Sequence, residues 1–223
     1  MGAARRHGLL AVALPPRLDA VLQELAQGTP VLMLVNLSLP VWPRWHYLVA
    51  VGYDLDAGDA RVHSGTQRAA AWPLATLELT WARGGPWAMV ALPPGRLPAS
   101  TGPDEVWAAL TALERLPPAS TAAPWWAAAH ARWPGDLNLA LGQGNQLHAA
   151  GRRAEAAAVF EAAARQHDSA VAWNNLAQVR WQLGERGAAR EAARRAWQRA
   201  QAAEPRWRDA VRATLAELGE PAP

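Results

Sequence analysis

His46 heads an apolar run, Tyr47-Leu48-Val49-Ala50-Val51, that ends in Gly52-Tyr53-Asp54. An imidazole titrates near neutrality when unperturbed, so a His fixed at the mouth of a strand can take a proton from a nucleophile. It can equally be a structural histidine at the edge of a core. His63 and Ser64, on the returning segment, are the nearest candidates for a partner. If the turn occupies 52–59, Val51 faces Ala60 and His46 faces Gly65. His63 then lies diagonally across on the same face, with Ser64 pointing away. A slip of one residue exchanges the two. A metal held by His46 and His63 would need further ligands, and no spacing in the chain supplies them. No metal or cofactor is expected.

A second concentration of polar chemistry lies near the C-terminus. Arg186, Arg190 and Arg194 recur at i, i+4, i+8, with Arg195 and Arg199 beside them. Such a row is either a surface for an acidic partner or RNA, or a solvated helix face with Glu185 and Glu191 interleaved.

Composition narrows the choices. The chain of 223 residues has no Cys, so disulfides, thiolate metal sites and a cysteine nucleophile are excluded within it. It has no Lys and no Ile, and its net charge is only +3. The high sequence pI of about 10.4 reflects a chain whose every strong cation is Arg. Residues 1–100 carry 8 Arg against 6 acidic residues, and 101–223 carry 14 against 13. Neither part is a basic domain, so no nucleic-acid partner is expected. No apolar run reaches the roughly 20 residues of a membrane span. Gly8–Leu14 is short for a signal peptide and meets Pro15-Pro16, which points to a cytoplasmic chain.

The elements that must hold these residues follow from periodicity. Residues 1–7 with Gly8 read as a helix end and its glycine, and Leu9–Leu14 as a short strand. Leu18, Val21, Leu22 and Leu25 predict an amphipathic helix over 17–27. Pro30–Asn36 reads as a strand covered on both faces. The His46 strand, its return at Ala60–Ser64, a helix from Pro73 with Leu74, Leu77 and Trp81 inward, and a strand at Trp87–Leu92 complete the set. Five strands with two interleaved helices make an α+β layer over 1–92. Residues 93–103, rich in Pro and Gly, read as a linker.

Beyond it the pattern turns helical and repeats. Ala156, Phe160 and Ala163 meet Ala122, Trp126 and Ala129 when shifted back by 34, and Ala189, Ala193 and Ala196 when shifted forward by 33. Gly144 is likewise matched by Ala177, within Trp173-Asn174-Asn175-Leu176-Ala177. This region resembles the tetratricopeptide repeat, implying three helix pairs over 104–201 and a capping helix with tail over 202–223. In that repeat class, asparagines on inner helices contact extended peptides. The resemblance therefore implies peptide-binding roles for Asn145, Asn174 and Asn175, and ordinary helix polarity is the other reading.

Residues 1–92 resemble the later part of a papain-like cysteine peptidase domain, of the bacterial type that cleaves bacteriocin leader peptides. The resemblance rests on Ala3–Leu9, Gly28–Leu32, Trp45-His46-Tyr47 with Val51–Asp54, His63-Ser64-Gly65, and Trp81 with Trp87–Val90. It implies that His46 is the general base, with His63 or Ser64 in the third catalytic position. The family's Cys, and the Gln of its oxyanion hole, lie on a segment before the part matched here. A base without its thiolate forms no acyl-enzyme. The chain is therefore expected to be a non-catalytic, N-terminally truncated peptidase-like domain carrying a protein- or peptide-binding repeat module. Two alternatives stand beside it. One is a thiol endopeptidase whose Cys-bearing start lies upstream, exported to the periplasm or membrane-anchored. The other is an RNA-binding helical protein. Truncation would also leave apolar surface exposed around Leu32, Leu34 and Val49.

Overall fold

The computed structural model describes residues 1–115 and 122–220. They group into two compact units, divided between Ala119 and Ser120.

The first unit is built on a six-stranded sheet. Its strands are β1 (Leu10–Ala13), β2 (Val31–Asn36), β3 (Trp45–Asp54), β4 (Asp59–Ser64), β5 (Gln67–Pro73) and β6 (Trp87–Leu92). All pairings are antiparallel, in the order β1-β6-β2-β3-β4-β5. Alternation decides which side is dry. Val31, Met33 and Val35 of β2 pair with Ala50, Leu48 and His46 of β3, and those five apolar residues are essentially fully buried. The helices α2 (Leu18–Ala26), which packs on β2 and β3, and α3 (Leu74–Arg83), which packs on β2, β4 and β5, supply the partner layer. They bury Val21 and Leu25, and Leu77 and Trp81, respectively. At the end of α3 only Gly fits position 84, because a Cβ there would lie 2.9 Å from the Leu34 carbonyl oxygen.

The opposite side of the same strands is poorly covered. Leu32 pairs with Val49 and Leu34 with Tyr47, and Leu34 also pairs with Trp87 of β6. The Tyr47 and Trp87 rings meet edge to face, centroids 6.2 Å apart. Leu32, Leu34 and Val49 are half-buried. The exposed apolar area centres on Trp45 and Tyr47.

Two expectations need correction here. The described residues form six strands rather than five: β5 is an Ala-rich edge strand (Gln-Arg-Ala-Ala-Ala-Trp-Pro) of low strand propensity, formed because it pairs with β4. Residues 93–103 are also not a free linker. Buried Glu24 of α2 accepts hydrogen bonds at Oε1 from the Ser100 amide (2.8 Å) and hydroxyl (2.7 Å). Arg96 donates to the Gln27 carbonyl and to Thr29 Oγ1. Helix α4 (Pro103–Glu114) follows and packs on β1, as does the short N-terminal helix α1 (Gly2–Arg6). The boundary therefore falls after α4, within 116–121, which lie outside the described residues.

The second unit is a run of helices: α5 (Ala123–Arg132), α6 (Leu137–Ala149), α7 (Arg153–His167), α8 (Ala170–Gln182), α9 (Arg186–Ala202) and α10 (Arg208–Glu217), with a 3-10 turn at Pro205–Trp207. Each helix packs on the next, and α8 also on α10. All nine residues matched by the 33–34-residue repeat are buried. The two inner turns are built alike. Gly151 and Gly184 hold positive φ, and the following amides of Arg152 and Glu185 reach back to the carbonyls of Leu147 and Arg180. Side-chain volumes are complementary: a Cβ on Gly142 would overlap the Trp126 ring, and one on Gly144 the Phe160 ring. The helical pairs over this unit are α6/α7 and α8/α9, flanked by α5 and α10. The expected first member, α4, packs instead in the sheet unit.

Candidate functional site

In the sheet unit the site is set by a bulge. Asp54 Oδ1 accepts the Asp56 and Ala57 amides, tightening the β3–β4 turn so that Asp54 pairs with Asp59 and Tyr53 with Ala60. The register then breaks between Ala50 and Gly52, leaving Val51 unpaired, and resumes with Ala50 opposite Val62 and Val49 opposite His63. That extra residue exchanges the two candidates. Ser64 now shares the face of His46, and its Oγ lies 2.9 Å from His46 Nε2. His63 turns to the other face, where its Nδ1 accepts the amide of Ala69 at 3.0 Å. The arithmetic that put His63 beside His46 is thus corrected, as is the pairing of Val51 with Ala60.

His46 is half-buried and stands opposite Val35. A hydroxyl on a ring nitrogen is one half of a proton-transfer pair. Among the described residues no side chain hydrogen-bonds the other ring nitrogen, so His46 and Ser64 form a pair and not a triad. Nor do the described residues bring three His, Asp or Glu together as metal ligands.

In the helical unit, α6, α8 and α10 form one layer. His148 Nε2 and Gln182 Oε1 lie 2.7 Å apart across α6 and α8, and Gln178 Nε2 donates to Thr214 Oγ1 at 3.1 Å across α8 and α10. Asn175, Gln178 and Gln182 stand at i, i+3, i+7 on one side of α8, and Asn145 and His148 at i, i+3 on α6. Asn145 and Gln178 are exposed, and Asn175 is half-buried. The structure therefore brings Asn145 and Asn175 to the open face of this layer but not Asn174. That side chain is only 7% exposed and its Oδ1 has no hydrogen-bond partner. Adjacent helix residues point about 100° apart, so Asn174 faces the core where Asn175 faces the open side. Gln178, Gln182 and His148 were not singled out from sequence. The 34-residue offset between His148 and Gln182, equal to the repeat, was the available signal.

The arginine row of α9 is occupied internally. Arg190 and Arg194 both pair with Glu220, Arg195 pairs with Glu191, and the Arg186 guanidinium stacks 3.9 Å from the Trp181 ring centroid. A cleft of about 520 Å³ lined by Asp168, Trp173, Gln198 and Ala202 also holds Arg195 and Arg199. Its cations are committed as well: Arg199 lies near Asp168 and Glu204. These pairs are solvated and individually weak.

Burial holds the His130 imidazole of α5 below its ordinary pKa of 6.5, and its Nδ1 has no partner. The fold thus favours neutral His130, and the unfolded chain takes the proton first as pH falls. Stability from this group is complete above pH 6.5 and declines below it. Urea midpoints should drop from pH 7.5 to 5.5, and His130→Gln should flatten that decline by a measurable part.

No family model matches the chain, and no curated protein matches it. Solved structures do. The type III secretion chaperone SycD of Yersinia enterocolitica, in complex with a peptide of the translocator YopD, is similar at 17% identity and a TM-score of 0.47, over 52% of this chain and 91% of that one. The Sgt2 tetratricopeptide domain from Aspergillus fumigatus gives 18% and 0.42, over 52% and 81%. A thermophilic tetratricopeptide protein of Thermus thermophilus gives 20% and 0.38, over 49% of this chain and 60% of that one. This chain combines a sheet-and-helix unit with a unit of consecutively packed helices, and no helix among its described residues is long and apolar enough to cross a membrane.

Proposed function

We propose that the helical unit is a protein- or peptide-binding module whose contact surface is the open face of α6 and α8. One observation carries this: a stripe of uncharged amides, Asn145, Asn175 and Gln178, left accessible on two helices of one layer, beside the His148–Gln182 contact that joins them. An amide side chain both donates and accepts, as a peptide backbone does, so such a stripe suits an extended segment with little demand on its charge. Similarity to a chaperone solved with a bound peptide agrees in kind.

The sheet unit is read, on the sequence resemblance alone, as a non-catalytic peptidase-like domain. His46 would hold the base position and Ser64 the third position. A cysteine-free chain offers no thiolate for His46 to generate, so thiol peptidase activity would need a cysteine from outside this sequence.

Panning random peptides against the full chain tests the binding reading. Enriched peptides should lose about 5–10-fold in affinity to Asn145→Ala or Asn175→Ala, as expected for one hydrogen bond worth about 1 kcal/mol. Asn174→Ala should change affinity little. Peptides that bind the Asn145/Asn175 double variant as tightly as the parent would move the site elsewhere.

A further inference from the structure

The segment between β2 and β3 holds apolar side chains away from the fold. Val41 is 87% exposed, Trp42 81% and Leu39 60%, with Trp45 at 55% where β3 begins. This is not a collapsed loop whose side chains failed to find a core, because its base is clamped. Asn36 Oδ1, buried, accepts the Ser38 and Arg44 amides at 3.0 and 2.8 Å, and the Leu37 amide donates to the Arg44 carbonyl. The fold invests a buried polar side chain in presenting these residues to the outside.

We propose that this loop inserts into the interface of an anionic lipid bilayer. The amide inventory favours lipid over a protein partner. Pro40 and Pro43 have no N–H, and those of Leu37, Ser38, Trp42 and Arg44 are bonded within the loop. Only the Leu39 and Val41 amides lack an acceptor among the described residues. In the bilayer interface those two donors can reach water or headgroup oxygens, and the bonded remainder leaves a protein partner few backbone donors to engage. Charge agrees: no carboxylate occurs between Glu24 and Asp54, and Arg44 is the interval's sole arginine. Its guanidinium can reach headgroup phosphates while Trp42 and Trp45 occupy the interfacial zone that indoles prefer. This is surface attachment rather than a membrane span.

The cysteine-free chain gives a direct test. Val41→Cys in the full chain, labelled with a polarity-sensitive fluorophore, should shift to shorter wavelength with vesicles containing phosphatidylglycerol and much less with phosphatidylcholine alone. Leu55→Cys, also exposed (64%) but on a different turn, should not respond. Unlabelled protein should co-sediment with the anionic vesicles, and Trp42→Ala combined with Leu39→Asp should weaken that partitioning more than tenfold. Absence of a shift with both vesicles, or an equal shift at Leu55→Cys, overturns the proposal. A shift that grows with protein concentration without lipid overturns it too, marking docking of a second copy.

Discussion

Phe160→Ala should cost the helical unit about 3–5 kcal/mol, the range for emptying a fully buried aromatic site. Phe160 is 1% exposed and packs where Gly144 of α6 leaves room for its ring. The next repeat solves the same contact differently, with Ala177 and Ala193, both fully buried. The two solutions make the contact testable as a pair. Gly144→Ala alone drives a methyl into the ring and should cost about 1–3 kcal/mol. In the double variant Gly144→Ala/Phe160→Ala the added methyl fills part of the emptied space, reproducing the Ala–Ala pair one repeat on. Its loss should fall short of the summed single losses by about 1 kcal/mol or more. Urea unfolding of the full chain followed by far-UV circular dichroism reads all three. Strict additivity would mean that α6 and α7 do not interlock at this point.

Glu24→Ala is expected to loosen the sheet unit at a distance from the substitution in sequence. The carboxylate is 1% exposed, and its hydrogen bonds to the Ser100 amide and hydroxyl tie residues 96–102 to α2. A hydrogen bond to a charged group contributes about 1.5–3 kcal/mol, and here two share one oxygen. A loss of about 2–4 kcal/mol is therefore expected for the unit. The more specific readout is amide exchange: Ser100 should lose protection in Glu24→Ala, together with the segment leading into α4. Glu24→Gln retains an acceptor oxygen and should keep most of that protection. If Ser100 exchanges equally in both variants and the parent, the clasp does not hold the segment.

The repeat was readable because it is a statement about volume. Small or aromatic residues recurring at 33–34 mark where helices must approach, and the burial of Ala122, Phe160 and Ala196 follows from spacing alone. The amphipathic helix around Leu18 and Val21 was legible from its period, and the strand Trp87–Leu92 from a short unbroken apolar run. What escaped depends on partners distant in sequence. A single bulge at Val51 decides whether His63 or Ser64 meets His46, and nothing local to that strand announces it. Pro-Gly composition over 93–103 reads as a linker because the residue that fixes it, Glu24, lies far upstream. Asn174 and Asn175 look alike in sequence, and only the packing around α8 separates a core amide from an accessible one.

The position of β1 carries a consequence for how the polypeptide acquires its structure. Leu10 pairs with Leu92 and Val12 with Val90, and β1 has no other neighbour in the sheet. On the ribosome β1 thus waits for β6, synthesised some 75 residues later, and α4, which packs on β1, is made later still. The helical unit makes its main contacts between consecutive helices. By the relation between contact separation and speed, the two units fall at opposite ends: the sheet closes late, through ends that must find each other, while the helices zip as they emerge.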